Sequence, residues 1–136
     1  DIWVAVLRRR AGFPAAAMTL AHPAELAPAV VLSGEADEAP TKRLERAWSG
    51  RHVCFAKNLP LPQLATVLEQ SIFVGHDSGI SHLAAAASAN CILLFGPTDP
   101  DVWAPMNENV RVLRPPSGRL DDLQIETVEA VLAAPL

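Results

Sequence analysis

Residues able to do chemistry concentrate in one stretch, Phe73-Val74-Gly75-His76-Asp77-Ser78-Gly79-Ile80-Ser81-His82. An apolar run gives way to Asp77 and Ser78, both good helix N-caps, and then to Gly79, which lets a ligand approach the backbone closely. The first-turn amides of a helix starting there point outward at the positive end of its dipole, where an anion is favoured. His82 follows Ser78 by four residues, about one helical turn, and so faces the same region. A hydroxyl, exposed amides and an imidazole together make a diphosphate cradle. The same residues also make an ordinary N-cap beside a core histidine, and spacing alone leaves both readings open.

Two more loops follow apolar runs. Ser33-Gly34-Glu35-Ala36-Asp37-Glu38 sets carboxylates just past a strand. There they either accept hydrogen bonds from ribose hydroxyls or complement the positive end of the next helix. Phe95-Gly96-Pro97-Thr98-Asp99-Pro100 is stiffened by its Gly-Pro and Asp-Pro pairs. Thr98 either offers its hydroxyl and amide to a shared cleft or sits in a rigid turn.

Sharper matches fail. Gly75-His76-Asp77-Ser78-Gly79 is not the G-x-S-x-G nucleophile elbow, because His76 fills the slot of the first glycine. Asp99-Pro100-Asp101 has D-x-D spacing without further ligands, so no metal site is expected. Neither G-x-G-x-x-G nor a P-loop occurs.

The elements that must position these loops can be read from hydropathy. Residues 29–32 form a short apolar run that stops at Ser33-Gly34, as a buried parallel strand should. Residues 41–48 read as a helix with Leu44, Ala47 and Trp48 inward, and residues 52–56 as a strand. Residues 61–70 read as a helix with Leu61, Leu64, Ala65 and Leu68 inward. Then come a strand at 72–74, a helix at 80–88 and strands at 91–95 and 110–113. A closing helix spans 123–132. Residues 2–10 carry apolar residues at helical spacing and end in three arginines, which suits a helix C-terminus. Residues 11–28 are Ala- and Pro-rich, with a short helix around 23–26 as one option. Strand and helix alternate about every ~20–25 residues, the spacing of βαβ units. The fold class expected is therefore α/β, a doubly wound parallel sheet in which ligands bind beyond the carboxyl ends of strands.

Composition narrows the classes. With 136 residues, half of them hydrophobic and 19% charged, the chain fits one domain with a substantial core. A net charge of −4 argues against nonspecific nucleic-acid binding. Cys54 and Cys91 lie far apart, in apolar strand-like runs, and are expected to be buried free thiols. Trp3, Trp48 and Trp103 are expected to be packing anchors. No segment reaches the ~18–20 apolar residues that span a bilayer and the N-terminus lacks a signal-peptide pattern, so a cytoplasmic location is expected.

The run from Phe73 through His82 and on through Leu83-Ala84-Ala85-Ala86 resembles the glycosyltransferase family 9 signature, D-[TS]-G-x-x-H-L-x-A-A. Leu93-Leu94-Phe95-Gly96-Pro97-Thr98-Asp99-Pro100, continued by Trp103-Ala104-Pro105, is similar to that family's second marker. The likeness runs from about Ala29 to Arg114. It implies a GT-B architecture of two Rossmann-like domains, with residues 1–136 a partial C-terminal, nucleotide-sugar-binding domain.

The resemblance further implies metal-independent, inverting transfer of a heptose or related sugar from a nucleotide diphosphate such as ADP-heptose. The acceptor would be a lipid-linked, lipopolysaccharide-type glycan, at the inner face of the cytoplasmic membrane. No cofactor is implied. Asp77, Ser78, Gly79 and His82 match the donor's diphosphate and sugar contacts. Glu35, or alternatively Glu38, matches the ribose carboxylate, Leu59 the adenine lining, and Thr98 the conserved-looking loop. The N-terminal acceptor domain and the catalytic base would lie outside this sequence, which leaves no catalytic residue within it. The family's opening strand and His-Pro-Gly-Ser-type loop have no counterpart, so Asp1-Ile2-Trp3 is expected to resume inside the helix that follows them. The alternative reading is a non-catalytic nucleotide-binding or interaction module built on a degenerate half-fold.

Overall fold

A computed structural model of the chain describes residues 3–7 (as backbone), 29–51, 53–69 and 71–134. Among them is a six-stranded sheet of order β3-β2-β1-β4-β5-β6. The strands are β1 (Trp3–Leu7), β2 (Ala29–Ser33), β3 (Val53–Lys57), β4 (Ser71–His76), β5 (Asn90–Leu94) and β6 (Val110–Leu113). Between them lie α1 (Glu38–Ala47), α2 (Leu61–Glu69), α3 (Gly79–Ala86) and the single-turn α4 (Pro100–Trp103), with α5 (Ile125–Ala133) closing the chain.

Alternation along the strands explains why both faces are covered. In β4 and β5, Phe73, Cys91 and Leu93 point to one face, where they join Val30, Leu32, Leu64, Leu68, Ala84 and Ala85 under α2 and α3. Ile72 and Ile92 point to the other and pack with Leu132, Val128 and Val131 of α5. Phe73, Leu68, Ile92 and Leu93 are wholly buried. A strand buried on both sides needs a near-continuous apolar run, which β4 and β5 have.

Strands β2 and β3 pair in parallel, as do β4, β5 and β6. Strand β1 runs antiparallel to both β2 and β4, with Trp3 opposite Leu32 and Val4 opposite both Val31 and Val74. This corrects two expectations. Residues 3–7 form a central strand, not part of a helix, and the sheet is mixed at its centre. Helical spacing across residues 2–10 alone is a weak signal. Two flanking strands, each with a row of N–H and C=O groups to satisfy, outweigh it. The option of a helix at 23–26 lies outside the described residues, as does the side chain of Trp3.

Four burial expectations also change. Cys54 is exposed, because β3 is the sheet's edge strand. Ala47 is exposed at the last turn of α1. Leu61, the first residue of α2, is 62% exposed. Trp103 is 57% exposed, since α4 is one turn long and buries none of its residues. Cys91 is buried as expected.

Candidate functional site

The parallel strands bring their carboxyl ends to one edge of the sheet. Ser33 and Lys57 are in register across β2 and β3, and His76 and Leu94 across β4 and β5. The loops after β2, β3, β4 and β5 therefore all begin on that edge.

After β4 the chain turns into α3 in the manner its residues dictate. Ser78, in extended conformation, is the N-cap, and its Oγ accepts from Ile80 N at 3.2 Å and Ser81 N at 3.4 Å. Ser81 is buried and its Oγ donates to the His76 carbonyl at 2.5 Å, tying the helix start to the strand end. Asp77 and Ser78 are half-buried, and Gly79 and His82 are exposed. A Cβ placed on Gly79 would meet nothing within 4 Å, so the protein's own packing does not require glycine there. Of the two readings of Ser78, the capping contacts are thus present. His82 lies at the surface and not in the core. Burial holds the His76 imidazole below the ordinary histidine range, with the Asp77 backbone opposing that shift.

Beside the start of α3 lies a cavity of about 270 Å³. Its walls are mostly apolar, with Leu32, Ala56, Leu59, Leu64 and Ile80 around it and Leu61 at its rim. Ser33, Gly34, Asp37 and Asn58 supply its polar side. A second, more polar cavity of about 140 Å³ shares Ser33, Gly34 and Asn58 and adds Glu35, Glu38, Thr41 and Lys57. Asn58 sits in the left-handed region (φ +53°), which its short polar side chain tolerates, and its N–H bonds the Ser33 carbonyl at 3.0 Å. That bond fixes the floor common to both cavities.

The structure thus gathers Leu59 and Glu35 around contiguous cavities and sets Asp77, Ser78 and Gly79 next to one wall residue, Ile80. Glu38 also lines the smaller cavity; Lys42 Nζ lies 2.6 Å from its Oε1 and holds the carboxyl below its usual value. Thr98 is exposed in the loop after β5 and lines neither of these two cavities. Asp99 caps α4 by accepting from Asp101 N at 3.1 Å.

The sequence reading missed Asn58 as a lining residue, whereas Asp37 stands among the carboxylates it weighed after β2. An asparagine between a strand and a Leu-Pro-Leu-Pro run was the one legible sign of Asn58. Thr41 is 1% exposed, and its hydroxyl has no hydrogen-bond partner. Among the described residues, no group of three His, Cys, Asp or Glu side chains could hold a metal ion. No described helix is long and apolar enough to cross a membrane.

Comparison with known proteins gives these features a context. The sequence profile of glycosyltransferase family 9 (heptosyltransferase) matches residues 20–132. Lipopolysaccharide heptosyltransferase 1 of Escherichia coli O18:K1:H7 (strain RS218 / NMEC) is 33% identical over 94 residues, covering 68% of this chain and 28% of the relative. Lipopolysaccharide heptosyltransferase 3 of Escherichia coli (strain K12) is 40% identical over 50 residues, 36% of this chain and 14% of the relative. The structure of E. coli heptosyltransferase WaaC with ADP superimposes with a TM-score of 0.63 at 32% identity, over 71% of this chain and 30% of that one. That of E. coli ADP-heptose lps heptosyltransferase II gives 0.64 at 22% identity and speaks to the fold alone. The chain spans 14 to 28% of the length of these two curated relatives.

Proposed function

The chain belongs to glycosyltransferase family 9, and from that premise we propose that it is the donor-binding part of a sugar transferase using a nucleoside diphosphate sugar, ADP-heptose or a close analogue. The observation that carries this reading is the contiguity of three features at one sheet edge. They are an apolar cavity of ring-system size, a polar cavity bearing Glu35 and Glu38, and the exposed start of α3 at Gly79. Base, ribose and diphosphate need three such environments within reach of one another.

In this reading the base lies against Leu59 and Ile80. The ribose hydroxyls donate to Glu35 or Glu38. The diphosphate meets the amides beyond Ser78, with Asp77, Gly79 and His82 beside it and Thr98 reaching in from the next loop. First-turn amides and the His82 imidazole stabilise the negative charge that develops on the departing diphosphate, a contribution made without rearranging solvent. The base that deprotonates the acceptor hydroxyl belongs to the part of the enzyme outside this sequence, as does the acceptor site. The acceptor would be a lipopolysaccharide-type glycan at the inner membrane face.

Calorimetric titration with ADP, ADP-heptose, UDP and GDP tests the reading. The expected result is selective ADP binding, weakened about tenfold or more in His82→Ala, the scale of a hydrogen bond to a charged group. Asp77→Ala should also weaken it. A folded chain that binds no ADP, or unchanged affinity in both variants, would refute the site.

A further inference from the structure

Charge is divided unevenly between the two edges of the sheet. In residues 41–57, which hold most of α1 and the edge strand β3, five cations stand against one carboxylate. In residues 99–129, around the opposite edge strand β6, seven carboxylates stand against three arginines. Neighbouring strands are about 4.8 Å apart, so the edge strands of this six-stranded sheet lie about 24 Å from each other. That exceeds the screening length of about 8 Å at physiological salt, and the acidic edge does not cancel the basic one. A net charge of −4 therefore conceals a basic face.

That face is the outward side of α1. Lys42, Arg43 and Arg46 are spaced as neighbours on one side of a helix, and all three are exposed. Ala39 and Ala47 are exposed as well, while Thr41 is buried and Leu44 and Trp48 are half-buried. The two acids of the helix are already engaged. Lys42 Nζ lies 2.6 Å from Glu38 Oε1, and Lys57 Nζ lies 2.6 Å from Glu45 Oε1. Among the described residues no carboxylate pairs with Arg43, Arg46 or, in the turn beyond the helix, Arg51. None of these arginines lines either cavity described above. We propose that the outward face of α1 docks this chain on an anionic lipid surface. Lipid headgroups present diffuse negative charge without fixed geometry, which suits a helix face that has cations and no pocket. Nucleic acid fits less well, since no aromatic side chain stands among these cations to stack a base and the chain as a whole is acidic. The inference goes beyond the donor-site reading and does not depend on it, because Arg43 and Arg46 take no part in that site.

Co-sedimentation with lipid vesicles makes the test. The chain should bind vesicles rich in phosphatidylglycerol and leave pure phosphatidylcholine vesicles unbound. Binding should be lost at about 1 M salt, where the screening length falls to about 3 Å. A cation near such a surface contributes about fivefold, so Arg43→Gln combined with Arg46→Gln should lower partitioning about 25-fold. Glutamine keeps the helix propensity of arginine, and an unchanged circular dichroism spectrum and melting midpoint verify the fold. Arg119→Gln, on the acidic side, removes a cation elsewhere and should leave partitioning unchanged. Equal binding of the unaltered chain to both vesicle types overturns the proposal and needs no variant. Full binding by the double variant overturns it as well, and so does an equal loss in Arg119→Gln, which would make the effect one of net charge alone. If single-stranded RNA is bound through Arg43 and Arg46 at the same salt while vesicles are not, the face belongs to nucleic acid and the proposal fails.

Discussion

At the scale of single residues, the buried and half-buried titratable groups respond to acid in a definite direction. Folding lowers the His76 pKa by burial. Between the folded value and the unfolded value near ~6.5, the unfolded chain therefore binds more protons, and stability falls as pH drops through that window. Above the unfolded value the full stability is present. Thermal unfolding from about pH 7 to about pH 5 should show a falling midpoint, and His76→Gln should flatten that slope. Identical slopes in the two proteins would assign the dependence to another group. The motif around His76 was legible because its residue types are unusual together. Its individual roles were not, since Ser78 caps a helix whether or not a ligand is present.

At the scale of elements, two glycines in the matched motifs do different things. A Cβ at Gly96 would lie 3.3 Å from Leu120 Cβ and 3.4 Å from Leu120 N, in the chain segment that also bonds Arg114 Nε to the Gly96 carbonyl at 3.1 Å. A Cβ at Gly79 would stand in open space. Gly96→Ala should therefore cost about 1–3 kcal/mol, as overpacking against backbone does. Gly79→Ala should leave stability unchanged or raise it by about 0.5–1 kcal/mol, through helix propensity, while lowering ADP affinity. Denaturant midpoints and titrations on both variants check this. A large loss of stability in Gly79→Ala would mean that the glycine serves the fold. Element type was readable where apolar periodicity was strong, so each strand from β2 to β6 and each helix of eight or more residues falls within a few positions of expectation. Strand β1 departs from the helix expected over residues 2–10 because so short a stretch carries too little periodicity, and only its neighbours decide its state.

At the scale of the molecule, the two thiols report on the core. Burial pushes the Cys91 thiol up to about 11, and its Sγ donates to the Ala89 carbonyl at 3.4 Å. Cys54 is exposed on the edge strand. A thiol reagent should modify Cys54 of the native chain promptly. Cys91 should react only as fast as the sheet opens, and both should react at once in denaturant. Prompt reaction of both in native buffer would mean that the face under α2 and α3 is not closed. The same count separates edge from centre, a distinction that hydropathy missed because Cys54 and Cys91 sit in similar apolar runs.

Features legible along the chain are local or chemical. Strand and helix periods, the cap at Ser78 and the paired motifs at 73–86 and 93–105 depend on neighbours a few residues apart, and so they can be read along the chain. Other features depend on residues distant in sequence. Strand β1 takes its place because β2 and β4 leave a slot between them. Leu61 and Asp37 become cavity walls because α2 and the turn after β2 meet beside α3. Asn58 joins two cavities through a bond to Ser33, twenty-five positions away. Periodicity shows which side of an element is apolar, but what that side faces is set by packing across the sheet.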